Sequence, residues 1–224
     1  MIPRSIRRTA TPGVVLALAL GLAACQAATV TPAPTVGPSV AGSSAAAGAA
    51  CPTTQPPALG KGETRTVSIE TAKGTFAIKI EADLSPIAAG NFVALAGCGF
   101  YDGVVFHRVA TLPDGTPFVI QGGDPTGTGT GGPGYSIQDE PVTAAYKRGT
   151  VAMARTSAPN SVGSQFFIVL DDKDQPVLAQ YNTYQIIGSV SAGMDTVDAI
   201  YAAAGGQEQP ADPVAMTKVT VSNP

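Results

Sequence analysis

Apolar and polar positions alternate most clearly in two adjoining stretches, 66–70 and 75–81, which flank Ala72-Lys73-Gly74. A period of two puts every second side chain on one face of a pleated strand. A short glycine-containing link between two such runs predicts a β-hairpin. Ser85-Pro86 then has the form of a helix N-cap followed by proline at the first helical position. Ile87, Phe92, Val93 and Leu95 supply one apolar face, and Gly97 and Gly99 end the helix. Short apolar runs at 104–109, 118–121, 150–154, 165–170 and 184–190 predict strands between Gly- and Pro-rich loops. Met194, Val197 and Ile200 recur at helical spacing, which predicts a second helix from about Gly193 to Ala204, and 214–221 reads as a closing strand. Many strands, two helices and glycine-dense turns predict a mainly β protein, a closed barrel rather than a βαβ fold.

Ahead of this domain the pattern changes. Arg4, Arg7 and Arg8 form a positive start, and residues 14–20 form an apolar run too short for a permanent membrane span. Leu22-Ala23-Ala24-Cys25 resembles the lipobox of bacterial lipoproteins, which implies cleavage before Cys25 and acylation of that cysteine. The alternative is an ordinary secretory signal cut near Ala24, with Cys25 incidental. Arg7-Arg8 is weakly suggestive of a twin-arginine signal, but no further consensus follows it, so the general export route is the default. From Gln26 to about Ala58 there is neither a charge nor an aromatic ring, and Ala, Thr, Pro, Ser and Gly dominate. Such a stretch buries too little apolar surface to offset its chain entropy and reads as a tether, with a reach of about 30 Å. The expected organisation is a signal peptide over 1–24, a lipidated cysteine and flexible tether over 25–59, and one domain over 60–224.

Charge narrows the partners. The chain has 13 basic and 16 acidic residues, and loss of the leader leaves 10 against 16, a net charge of −6. That balance argues against nucleic acid and against electrostatic attraction to membranes. Membrane attachment is expected through lipid alone, for which two acyl chains suffice where one does not. The expected location is outside the cytoplasm, on a bacterial cell membrane.

Candidate chemistry concentrates in Phe106-His107-Arg108-Val109 and Phe118-Val119-Ile120-Gln121-Gly122-Gly123-Asp124. The first holds the only histidine. On a continuous strand Arg108 shares a face with Phe106, and a guanidinium on an aromatic-lined face is costly unless its hydrogen bonds are used.

These two motifs resemble the cyclophilin family of peptidyl-prolyl isomerases. So do Gly127-Thr128-Gly129-Thr130-Gly131-Gly132-Pro133-Gly134-Tyr135, Met153-Ala154-Arg155-Thr156 and Ser164-Gln165-Phe166-Phe167-Ile168. The motifs follow the family's order across the whole domain. The resemblance implies a closed eight-stranded antiparallel β-barrel capped by two α-helices, and rotation of Xaa–Pro peptide bonds without any cofactor or metal. It implies Arg108 as the catalytic hydrogen-bond donor. Phe118, Val119, Phe167 and Leu178 are then the apolar pocket for the proline ring, and Gln121 and Gln165 hold the peptide and orient the guanidinium. Ala154 and Arg155 flank the preceding residue, and Tyr184 stands at the pocket edge. His107 is read as structural, since the reaction transfers no proton.

Three features depart from the family's pattern. The turn over 110–117 is about five residues longer than the family's usual short turn, and segment 175–184 is also long. No tryptophan is present, so the indole that contacts cyclosporin in sensitive members is missing, and weak binding of that drug is expected. Cys51 and Cys98 remain beside Cys25; in an exported protein they are expected to pair, the other reading being two free thiols.

Three function classes follow: an isomerase for exported proteins, a proline-peptide binding module or holdase with little catalysis, and a structural lipoprotein or adhesin. The expected partners are proline-containing segments of unfolded or exported chains, and the expected state is a monomer.

Overall fold

Strands β1 (Thr64–Thr71) and β2 (Gly74–Glu81) pair antiparallel with Thr71 opposite Gly74, the hairpin that the alternation predicts. The computed structural model describes residues 50–223; the leader, Cys25 and the tether up to residue 49 lie outside the described residues. Beyond β2, helix α1 (Pro86–Gly97) starts with Ser85 at its N-cap and proline in its first turn. The serine side chain makes no capping bond. The carboxylate of Glu140 accepts from the backbone N–H groups of Ile87 (2.9 Å) and Ala88 (2.8 Å) instead. A distant acid thus satisfies the orphan donors that the local sequence assigns to serine.

The remaining elements are β3 (Arg108–Thr111), β4 (Pro117–Gly122), β5 (Thr150–Met153), β6 (Phe166–Val169), α2 (Gln175–Tyr181), β7 (Ile186–Ala192), α3 (Met194–Ala203) and β8 (Met216–Ser222). The eight strands form one sheet in the order β3-β4-β6-β5-β7-β2-β1-β8.

The sheet does not close into the expected eight-stranded barrel. It is open and curled, with β3 and β8 as its edge strands about 13 Å apart. The reason lies in residues 103–107. Their contacts toward β8 are an isolated bridge between Val105 and Ala215 and a few backbone bonds, such as Phe106 N–H to Val214 O at 2.9 Å. Where β3 begins, the loop after α3 takes its outer edge, and Val109 N–H donates to Glu208 O at 2.8 Å. The predicted strand over 104–109 is therefore interrupted, and Phe106 and Arg108 do not share a face. Phe106 is fully buried against Phe76 and Phe166, whereas Arg108 is half-exposed on the opposite side.

Among the described residues, three α-helices stand where two are expected. Helix α2 is less than two turns long, with Pro176 in its first turn and only Val177 and Leu178 as aliphatic anchors, so it leaves no period to read. A 3-10 turn with a reciprocal Asp171/Asp174 capping box starts it. Among the described residues no helix is long and apolar enough to cross a membrane.

Each sheet face carries its own apolar cluster. The larger joins Val67, Ile69, Phe76, Ile78 and Ile80 of the hairpin to Ile120, Val151 and Ile168, and is covered by Phe92 and Leu95 of α1 and by Val197 and Ile200 of α3. The smaller, on the other face, holds Ala110, Val119, Ala152, Phe167, Val169, Leu178 and Ile186.

The expected tether also ends earlier than residue 59. Cys51 and Cys98 are joined by a disulfide, Leu59 N–H donates to Pro86 O (3.0 Å), and Gln138 N–H donates to Gln55 Oε1 (2.9 Å). This strap crosses α1 so closely that a Cβ at Gly90 would lie 2.4 Å from Pro57 O, which only glycine avoids.

Candidate functional site

Strand register decides which side chains meet. Arg108 stands opposite Gln121, Gln121 opposite Phe167, and Phe167 opposite Ala152. Residues directly opposite share a face, so a guanidinium, an amide and an aromatic ring form one row across β3, β4 and β6. Two residues along, Ala110, Val119 and Val169 form the next row on the same face. The intervening Val109, Ile120 and Ile168 point into the larger core.

By alternation Phe118 belongs with Ile120 in that core, yet it packs with the smaller cluster. The register jumps there: Ala110 faces Val119 and Thr111 faces Pro117, which leaves Phe118 as an extra, bulged residue. A bulge re-aims a side chain, and this one turns the ring toward the row of Arg108 and Phe167.

Above these rows lies a pocket of about 360 Å³, lined by Arg108, Phe118, Val119, Gln121, Ala154, Arg155, Phe167, Val177, Leu178, Tyr181 and Tyr184. It brings together nine of the ten residues singled out for catalysis and substrate binding in the sequence. Gln165 lines an adjoining cleft of about 570 Å³, beside the loop over 129–136 and again with Gln121, Ala154 and Arg155. Leu178 reaches the pocket from α2, whose αL cap at Asn182 turns the chain back toward Tyr184.

Aromatic contacts shape the rim. The Tyr184 ring meets Phe167 edge-on at 5.3 Å and Tyr181 at 6.4 Å. Tyr146 holds the tyrosine backbone from below: its hydroxyl donates to Tyr184 O (3.0 Å) and accepts from Tyr184 N–H (3.2 Å). Burial pushes the Tyr146 phenol up to about 12, so it stays a neutral donor. The family resemblance does not point to Tyr181 or Val177, which also line the pocket. Their signal in the sequence is an apolar pair four apart within a segment that is helical here.

The polar residues form a directed chain. Arg108 Nη1 donates to Gln121 Oε1 at 3.4 Å, Gln121 Nε2 donates to Gln165 Oε1 at 3.0 Å, and Gln165 Nε2 donates to the carbonyls of Gly129 (3.0 Å) and Gly131 (2.9 Å). Both ends of the Gln165 amide are thus engaged within the protein. Arg108 Nε also donates to Glu208 Oε1 at 2.8 Å, a partner 100 residues away that no local motif indicates. Arg155 is tied to Asp139 (3.0 Å) and to the carbonyls of Thr156 and Ala158.

His107 is buried beneath the glycine-rich loop, 3.7 Å from where a Cβ of Gly129 would lie. Burial lowers its pKa, and the neighbouring Arg108 adds to that, while Asp124 opposes it.

Residues 66–221 match the family model described as cyclophilin type peptidyl-prolyl cis-trans isomerase/CLD. Over 172 residues the chain is 38% identical to the "Probable peptidyl-prolyl cis-trans isomerase B" of Mycobacterium tuberculosis, covering 69% of this chain but only 53% of that relative. It thus spans about half that relative's length. Over 179 residues it is 37% identical to the peptidyl-prolyl cis-trans isomerase A of the same organism, covering 71% of this chain and 93% of the relative. Among solved structures, a cyclophilin type peptidyl-prolyl cis-trans isomerase of Cryptosporidium parvum superposes with a TM-score of 0.62 at 32% identity, covering 72% of this chain and 99% of that one. The same protein in the presence of the dipeptide Ala-Pro gives a TM-score of 0.61.

Proposed function

The chain belongs to the cyclophilin-type family of peptidyl-prolyl cis-trans isomerases, and from that premise we propose that its domain rotates Xaa–Pro bonds with Arg108 as the catalytic donor. The barrier is the loss of amide resonance, about 18–20 kcal/mol. In the twisted transition state the proline nitrogen regains a lone pair and accepts a hydrogen bond, which the planar ground state cannot do. A donor aimed at that nitrogen binds the transition state preferentially, and only such differential binding accelerates the step. Arginine keeps its proton at any working pH. One charge-assisted bond contributes about 1.5–3 kcal/mol, against about 1.4 kcal/mol for each factor of ten. Arg108 thereby supplies one to two orders of magnitude, and the remainder comes from gripping the peptide on both sides of the ring.

The observation that carries this reading is the row Arg108–Gln121–Phe167 at the foot of a pocket of about 360 Å³. Phe118, Val119, Phe167 and Leu178 form its apolar seat. Ala154 and Arg155 lie toward the adjoining cleft, which takes the residue before proline. A protease-coupled assay on a short Xaa–Pro peptide tests it. Turnover above the uncatalysed rate is expected; peptide binding without acceleration would make the domain a binding module instead.

We also propose that the protein is exported, anchored through acylated Cys25, and acts on proline-containing segments of exported proteins. Supporting this are the basic start, the short apolar run and the lipobox-like Leu22-Ala23-Ala24-Cys25, together with a disulfide of the kind kept in oxidising compartments. Mass analysis of the mature N-terminus checks it: a diacyl or triacyl Cys25 is expected, and an intact Met1 would refute it.

A further inference from the structure

Asp124 lines none of the clefts described above, yet the bonds it accepts bear on how Arg108 is held. Its side chain is buried, with 1% of the residue exposed. Oδ1 accepts from the backbone N–H (2.7 Å) and hydroxyl (2.8 Å) of Thr126. Oδ2 accepts from the backbone N–H groups of Thr128 (3.1 Å), Gly129 (2.6 Å) and Gly131 (3.0 Å). Successive N–H groups converging on one anion make a nest, here wrapped around a carboxylate of the same chain. A Cβ at Gly131 would lie 2.1 Å from Oδ1, so this closeness requires glycine. Burial pushes the carboxyl up, but the donors from Gly131, Thr126 and Gly129 outweigh it and hold Asp124 far below the usual carboxylate range.

The loop so curled turns the carbonyls of Gly129 and Gly131 toward Gln165 Nε2. That contact fixes a polarity. The two ends of a glutamine amide have the same shape and differ only in what they donate or accept. With both N–H groups of Gln165 on the loop, its oxygen faces Gln121. Gln121 must then offer its NH2 to Gln165 and its oxygen to Arg108. Without the two carbonyls, either amide is free to flip, and a flipped Gln121 sets donor against donor at the guanidinium.

We infer that Asp124 is a positioning residue for isomerisation: by curling the loop over 126–131 it sets the amide polarity of Gln165 and Gln121, and through them the orientation of Arg108. The inference rests on the isomerase reading above.

The test is Asp124→Asn in the full chain, assayed for turnover and by NMR of the Gln165 side-chain NH2. The asparagine NH2 confronts N–H donors and opens the nest. We expect kcat to fall about tenfold with KM within about twofold, and the Gln165 NH2 signal to move toward its solvent-exposed position. Should Asp124→Asn not fold, Gly131→Ala displaces the carboxylate while keeping its charge, and the same changes are expected. An unchanged kcat, or a reduced kcat with an unmoved Gln165 signal, overturns the inference. Failure of the isomerase reading is distinguished by absence of turnover in the unmodified protein. In that case Asp124 positions nothing catalytic, whatever the amide spectrum reads.

Discussion

Arg108 Nε donates to Glu208 Oε1 at 2.8 Å while Glu208 O accepts from Val109 N–H at 2.8 Å, so one residue binds both the first side chain and the second backbone amide of β3. An acid on the proposed catalytic arginine could disable it. The geometry argues otherwise. A guanidinium has five donors; one is held by Glu208 and one by Gln121, and among the described residues Nη2 has no partner. The Glu208 side chain is 62% exposed and that of Arg108 37%, so the pair is screened by solvent.

Glu208→Ala is therefore expected to change stability by less than about 1 kcal/mol and turnover by less than about threefold. Chemical denaturation and the protease-coupled assay measure both. A tenfold gain in turnover would mean that Glu208 draws the guanidinium away from substrate.

Turnover is expected to be flat between about pH 6 and 9, because arginine does not titrate there and the reaction transfers no proton for His107, whose pKa burial lowers, to carry. A bell-shaped profile centred near the pKa of histidine would assign His107 a chemical part.

Stability carries a pH signature from Asp174, which is fully buried at the start of α2 and pushed up to about 6, chiefly by burial. A raised acid favours its protonated form in the fold, so its contribution is complete below the unfolded value of about 3.9 and is lost as pH rises through about 6. His107, lowered by burial, acts in the opposite sense by losing stability as pH falls. The difference between Asp174→Asn and the unmodified protein separates the two. The variant is expected to melt higher at pH 8 and to keep only about half of that advantage at pH 5, and an equal gap at both would contradict the assignment.

Tyr181 is the exposed large apolar side chain at the pocket rim, 63% accessible. Replacing it by alanine is expected to leave stability within about 0.5 kcal/mol and to raise KM several-fold with little change in kcat. An unaltered KM would remove it from the binding surface.

The strap gives an independent stability test. The Cys51–Cys98 disulfide spans 47 positions, and closing a loop of that size stabilises by about 2–4 kcal/mol. Cys51→Ser is expected to lower the urea midpoint accordingly while leaving turnover intact at a temperature where the variant is folded.

What the sequence made legible follows local rules. The 66–81 hairpin has a clean period of two, and α1 and α3 have caps or apolar spacing. The pocket residues are legible only through the family resemblance of their motifs; strand register is why they meet. What was not legible depends on distant parts of the chain. Glu140 caps α1 from 52 or 53 residues away, and Glu208 reaches Arg108 across 100. At the open seam the backbone of Glu208, from the loop after α3, takes the N–H of Val109, which no alternation in 104–109 could reveal. Helix α2 is too short to show a period.

Arg108 decides the account. Comparing kcat/KM for the unmodified protein and Arg108→Ala, with peptide affinity measured in parallel, separates donating to the twisted nitrogen from merely lining a pocket. The account predicts a loss of at least about tenfold, carried by kcat, in a variant that melts normally and still binds the peptide. Equal kcat in the two proteins would contradict it.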